Sequence, residues 1–116
     1  MIRVARLYRF HGRHHVPGLP YPWGERHGHD YTVEVVATSS PFLDTDLLDR
    51  AWAEVREGFF RLDRREDIVD LDETYGPKHT TVEALAVRWY EALRERVPEV
   101  RRVKVWEDQD RWGSYP

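Results

Sequence analysis

Three histidines carry the chemistry readable in this chain. His14 ends a first apolar run, and His27 and His29 lie in the step His27-Gly28-His29-Asp30-Tyr31 that opens a second. In a strand, residues two apart point to one face, so His27 and His29 can converge on one ion. Gly28 keeps the backbone between them uncrowded. A third imidazole from a neighbouring strand completes a three-nitrogen set. Such a set leaves the fourth position of a tetrahedral zinc open for water or substrate, the pattern of a catalytic rather than a structural metal. The competing reading is a histidine-rich loop that binds metal adventitiously, because His11 and His15 lie in the same stretch.

The elements that must hold these residues follow from periodicity. Ile2, Val4, Tyr8 and Phe10 share one parity and predict a strand over Ile2 to Phe10. Pro17, Gly18, Pro20, Pro22 and Gly24 punctuate the next stretch, a loop of about a dozen residues of the kind that is often functional in a small domain. Tyr31 to Thr38 is rich in Val and Thr and predicts a second strand, with the histidine run as its start. Asp44 or Thr45 can cap a helix running to about Phe60, its apolar face built from Leu48, Ala51, Trp52, Val55 and Phe59. Arg61 to Lys78 is highly charged, ends in Gly76-Pro77, and reads as a connection with one turn. Thr80-Thr81-Val82-Glu83 fits a capping box with Thr80 as the cap. The helix it starts runs through Leu85, Trp89 and Leu93 until Pro98 stops it. Arg101 to Trp106 alternates as a strand, and Trp112 to Pro116 predicts a short last one.

The order strand, strand, helix, helix, strand, strand indicates an α+β domain, an antiparallel four-stranded sheet with both helices on one face. A chain of 116 residues is one domain, residues 1–116. Its 41% hydrophobic content, five Trp and six Tyr suffice for a packed core, though at this size burial in an oligomer helps. A net charge of −3 gives no pull toward nucleic acid or an anionic membrane. No apolar run is long enough to span a bilayer and no leader precedes the first strand, so the expected location is the cytoplasm. Zero cysteines exclude disulfides and thiolate ligands, leaving His and carboxylate for any zinc.

Phe10-His11-Gly12-Arg13-His14, followed by His27-Gly28-His29-Asp30-Tyr31 and Val33-Glu34-Val35, resembles the "F-x-x-x-H … H-G-H-N-Y-x-V-x-V" core of the 6-pyruvoyl- and 6-carboxy-tetrahydropterin synthases. Leu62-Asp63 stands where that family has Leu-Asp-His. Thr81-Val82-Glu83-Ala84-Leu85-Ala86 resembles its "T-x-E-N-L-A" helix start, and Val103-Lys104-Val105-Trp106-Glu107 its closing "V-x-V-x-E" strand. The resemblance selects His14 over His15 as the third ligand and implies Zn²⁺ as cofactor. It also implies the tunnelling fold, whose subunits join their sheets into a barrel as trimers or hexamers. The implied activity is that of a lyase on a dihydroneopterin-type substrate, zinc polarising the side-chain hydroxyls as a Lewis acid.

Two departures bear on that activity. The family's catalytic cysteine falls at Trp23, and the nearest titratable replacement is Glu25, one residue from the position where a subgroup of the family carries a glutamate. Asp63 matches the aspartate of the family's Asp-His pair, but the histidine position holds Arg64, which cannot shuttle a proton near neutral pH. His79, just before the second helix, is a candidate to supply the missing imidazole, though nothing in the spacing demands it. Glu25 and Asp63 are therefore the expected catalytic residues. Glu107 is the expected pterin anchor, since a carboxylate can accept both hydrogen bonds of an amino-pyrimidine edge, and Thr81 is expected in the same pocket. A repurposed or non-catalytic zinc- and pterin-binding member is the alternative.

Overall fold

The computed structural model describes residues 2–39, 42–63 and 67–116. Its centre is a long antiparallel ribbon of β1 (Ile2–His14) and β2 (His27–Ser39), paired from Ile2 opposite Ser39 to His14 opposite His27. The alternation that predicted these strands also sorts their faces. Phe10, Gly12 and His14 from β1 lie on the same side as His29, Tyr31, Val33, Val35 and Ala37 from β2, and all are buried. Gly12 is needed there, because a Cβ would stand 2.9 Å from the Tyr31 ring. Without that Cβ, Phe10 and Tyr31 stack at 5.0 Å.

β1 runs on to His14 instead of ending at Phe10, because its last residues are paired on both sides. The second partner is the largest difference from expectation. Within the stretch read as a connection lie β3 (Phe60–Asp63), β4 (Ile68–Asp70), a short α2 (Leu71–Tyr75) and a 3₁₀ turn (Pro77–His79). β4 runs parallel to β1, with His11, Gly12 and Arg13 opposite Ile68, Val69 and Asp70. The sheet is therefore six-stranded and mixed, in the order β3-β4-β1-β2-β5-β6, and not the expected four-stranded antiparallel one. A strand of three residues is too short to show any alternation.

The helices behave as their sequences demand. α1 (Asp46–Glu57) and α3 (Val82–Arg96) both cover the apolar face of the sheet, burying Leu48, Ala51 and Trp52 from the first and Leu85, Ala86, Trp89 and Leu93 from the second. α1 stops short of Phe60, leaving Phe59 to fill the core from the segment after it. The cap of α3 is Thr81, not Thr80: the Thr81 hydroxyl accepts from the Ala84 amide. Thr80 is buried, and its carbonyl accepts from His14 Nδ1. β5 (Val100–Glu107) and β6 (Arg111–Tyr115) complete the sheet. Among the described residues no helix is long and apolar enough to cross a membrane.

Trp89 is the keystone of the core. It is fully buried, meets Trp52 edge-on at 5.3 Å and Phe10 at 5.8 Å, and its indole N–H donates to the Tyr75 hydroxyl. Trp89→Ala should cost about 3–5 kcal/mol, the usual penalty for emptying a large aromatic site. A urea titration reads this as a lowered midpoint with little change in slope.

Candidate metal centre and adjoining cleft

The ribbon register sets His14 directly opposite His27 and Gly12 opposite His29, so all three imidazoles leave the same face at the same end of the sheet. Their rings are 4.6, 4.8 and 5.1 Å apart and roughly perpendicular to one another. One ring nitrogen of each lies within 4.8 Å of the others.

Hydrogen bonds decide which nitrogen is free. His14 Nδ1 is 2.9 Å from the Thr80 carbonyl, His27 Nδ1 is 2.7 Å from the Glu25 carbonyl, and His29 Nδ1 is 2.6 Å from Asp108 Oδ2. A carbonyl or carboxylate oxygen can only accept, so each Nδ1 carries the proton and donates. Each Nε2 then turns toward the shared centre, and those of His14 and His29 are buried without a hydrogen-bond partner. Three imidazoles, each oriented by an acceptor behind it, are the donor set that zinc prefers. The residues present fit the ion.

Two carboxylates frame the set. Glu107, opposite Tyr31 at the end of β5, places Oε1 3.0 Å from His14 Nε2 and 3.4 Å from His29 Nε2. Burial pushes its pKa up, but the contact with His14 and the nearby charges of His29, His14 and Arg111 outweigh that and hold it below the ordinary carboxylate value. Asp108 follows in a left-handed conformation, φ 58°, which aspartate tolerates better than most residues. It too feels burial first. The bond to His29, the Asp30 amide and the charges of His29 and His11 still lower its pKa. Removing this oriented acceptor with Asp108→Ala should weaken metal binding roughly 10- to 100-fold. Competition against a chromophoric chelator measures it.

A cleft of about 440 Å³ opens beside the histidines, lined by His14, Trp23, His27, Thr81, Glu107 and Arg111 among others. Trp23 meets His27 edge-on at 5.4 Å, and the Arg111 guanidinium lies 4.4 Å over the indole. Thr81 lines the cleft while also capping α3. Of the residues expected from sequence, His14, His27, His29, Glu107 and Thr81 thus meet at one place. Glu25 is exposed and reaches the centre through its carbonyl. The side chain of Asp63 and all of Arg64 lie outside the described residues. His79 is exposed at the end of the 3₁₀ turn.

The structure adds residues that the sequence reading missed. Asp72 is buried and hydrogen-bonds His15, Oδ2 to Nδ1 at 2.6 Å and Oδ1 to the His15 amide at 3.3 Å. Arg26 bridges to the same carboxylate at 3.8 Å and to buried Asp70 at 3.1 Å. An Asp-His pair therefore stands one residue from His14. The signal that could have found it is Leu71-Asp72, a second Leu-Asp step following Leu62-Asp63. Asp108 had a weaker signal, an acid directly after the V-x-V-x-E run.

The chain matches the family model described as 6-pyruvoyl tetrahydropterin synthase over residues 3–116. No curated protein matches it in sequence. Among solved structures, it is similar to a Plasmodium falciparum 6-pyruvoyl tetrahydropterin synthase at 13% identity and a TM-score of 0.65, covering 98% of this chain and 96% of that one. An uncharacterized protein from Wolinella succinogenes gives 15% identity and a TM-score of 0.65, over 98% and 97% of the two chains. A Plasmodium vivax 6-pyruvoyltetrahydropterin synthase, solved as a catalytic-residue mutant in which a glutamate is replaced by cysteine, gives 13% identity and a TM-score of 0.57 over 99% and 98%. At these identities the structural likeness speaks for the fold alone.

Proposed function

We propose, from the premise that this chain belongs to the 6-pyruvoyl tetrahydropterin synthase family, that it is a zinc-dependent lyase acting on a dihydroneopterin-type substrate. The reaction is of the 6-carboxy- or 6-pyruvoyl-tetrahydropterin synthase kind. The observation that carries this reading is the convergence of three Nε2 atoms, every Nδ1 held by an acceptor, at the mouth of a cleft shared with Glu107 and Thr81. Zinc, when bound, would supply Lewis-acid polarisation of the pterin side-chain hydroxyls.

The chain's own residues do the rest. His14, His27 and His29 hold the ion. Glu107 accepts the two N–H donors of the amino-pyrimidine edge, and Thr81 lies across the same cleft. A cleft of this volume suits a bicyclic heterocycle. Glu25 is the candidate base, and the Plasmodium vivax enzyme, in which the catalytic residue mutated is a glutamate, supports that choice of residue type. Asp63 stays a candidate by its resemblance to the family's aspartate. The test is a thermal shift with zinc and pterins, separately and together. The reading expects stabilisation by each and a larger shift with both; no response to either overturns it.

One observation favours a second reading. Trp23 fills part of the cleft wall and the chain has no thiol, so the protein could bind zinc and pterin without turning the substrate over. Metal and ligand binding with no product from any dihydropterin would select it.

Assembly belongs to the same proposal. The edges of the sheet are β3 and β6, and Phe60, Leu62, Trp112 and Tyr115 on them are exposed. Open edges with large apolar side chains need covering, and edge-to-edge closure into a barrel covers them. Light scattering at micromolar concentration should report a trimer or hexamer of the 13.9 kDa chain. A monomer contradicts the assembly.

A further inference from the structure

We propose that Glu107 is a fourth metal ligand in the substrate-free protein, so that the centre rests closed and substrate opens it. This rests on the three-histidine reading and adds to it a role for a residue otherwise expected only to anchor the pterin.

Glu107 reaches the ring nitrogens of the centre without hydrogen-bonding to them. With Nδ1–H of His14 and His29 committed to Thr80 and Asp108, both Nε2 atoms turn toward the common centre. Glu107 Oε1 faces them at 3.0 and 3.4 Å, and neither contact has the geometry of a hydrogen bond, since both Nε2 atoms lack a partner. A carboxylate oxygen this close to two buried, unpartnered ring nitrogens, in a place where Glu107 is 8% exposed, stands where a further ligand atom would. With zinc–nitrogen and zinc–oxygen bonds of about 2.0–2.1 Å, ligand atoms of a tetrahedron stand about 3.3–3.4 Å apart. The two separations lie close to that spacing.

Charge points the same way. Three neutral imidazoles leave a bound divalent ion uncompensated in a largely buried site, and one carboxylate ligand halves its excess charge. Glu107 is also positioned by the sheet rather than by a mobile loop, since it pairs with Tyr31 at the end of β5. A pterin offering two N–H donors competes for this same carboxylate. Binding of the heterocycle therefore draws Glu107 away from the ion and frees the coordination position that the side-chain hydroxyls need. Substrate unlocks its own site.

The test uses the full chain loaded with cobalt(II), whose visible absorption reports coordination, and azide as a probe of an accessible position. Wild type should show a spectrum insensitive to millimolar azide, and added pterin without the hydroxylated side chain, which engages Glu107 but offers the ion no hydroxyl, should make it sensitive. Glu107→Gln, checked for folding by circular dichroism, should respond to azide alone and should hold zinc about 10-fold or more weakly against a chelator. A wild-type centre that takes azide freely without pterin overturns Glu107 ligation, independently of how the variant folds. Equal zinc affinity in wild type and variant does so as well. A wild type that holds no metal at all sinks the three-histidine reading together with this one.

Discussion

His29→Ala should empty the metal centre, while His15→Ala should leave it filled. Both residues sit in the same histidine-rich stretch, and only their geometry tells them apart. His29 projects from β2 to the face shared with His14 and His27, and its Nδ1 is held by Asp108. His15 lies beyond the end of β1 and spends its Nδ1 on Asp72. Zinc held by four ligands is worth roughly 10–16 kcal/mol at neutral pH, so one ligand accounts for about 3 kcal/mol, or two orders of magnitude in Kd. Elemental analysis after exposure to zinc and gel filtration should find about one ion per wild-type chain and per His15→Ala chain, and almost none on His29→Ala. Lowering the pH toward 5 should release the wild-type metal, because protons compete for the imidazole lone pairs. Equal metal loss in both variants would point to adventitious binding by a loop and away from a built site.

The contrast between those residues shows how much of the centre the sequence carried. The His27–His29 pair was legible because strand periodicity alone puts both on one face. His14 needed the register of a neighbouring strand, which spacing from Phe10 stood in for. The acceptors behind the rings were not legible. Thr80 and Asp108 approach His14 and His29 from 66 and 79 residues away in the chain, and no local pattern encodes such a contact. The same limit explains the fold. Long, alternating strands and amphipathic helices were readable, whereas β3 and β4 are too short to carry a period and form because β1 offers β4 an edge and β4 offers one to β3. The cap of α3 fell one residue late because two threonines stand side by side, and only tertiary structure shows that Thr80 turns its carbonyl to His14.

Turnover of 7,8-dihydroneopterin triphosphate should be weak or absent in the wild type, and whatever remains should depend on Glu25. A thiol beside the zinc site would supply a polarisable base and nucleophile whose ionisation nearby cationic groups promote. By the sequence resemblance that position falls to Trp23, an N–H donor with no titratable group, packed on His27 and covered by Arg111. Loss of a positioned acid or base typically costs 10²–10⁴-fold, roughly 3–5 kcal/mol of barrier. Glu25 can recover part of this only by moving, because at present its carbonyl rather than its carboxylate faces the centre through His27 Nδ1. Substitution to glutamine leaves that carbonyl in place, so Glu25→Gln tests the carboxylate without disturbing the ligand it orients. The informative readout is kcat on several dihydropterins, with zinc content measured in parallel. Catalysis by Glu25 predicts at least a tenfold fall in kcat at unchanged metal content. If the wild type turns over the standard substrate at an ordinary enzymatic rate and Glu25→Gln matches it, neither the cost assigned to the missing thiol nor the role assigned to Glu25 survives.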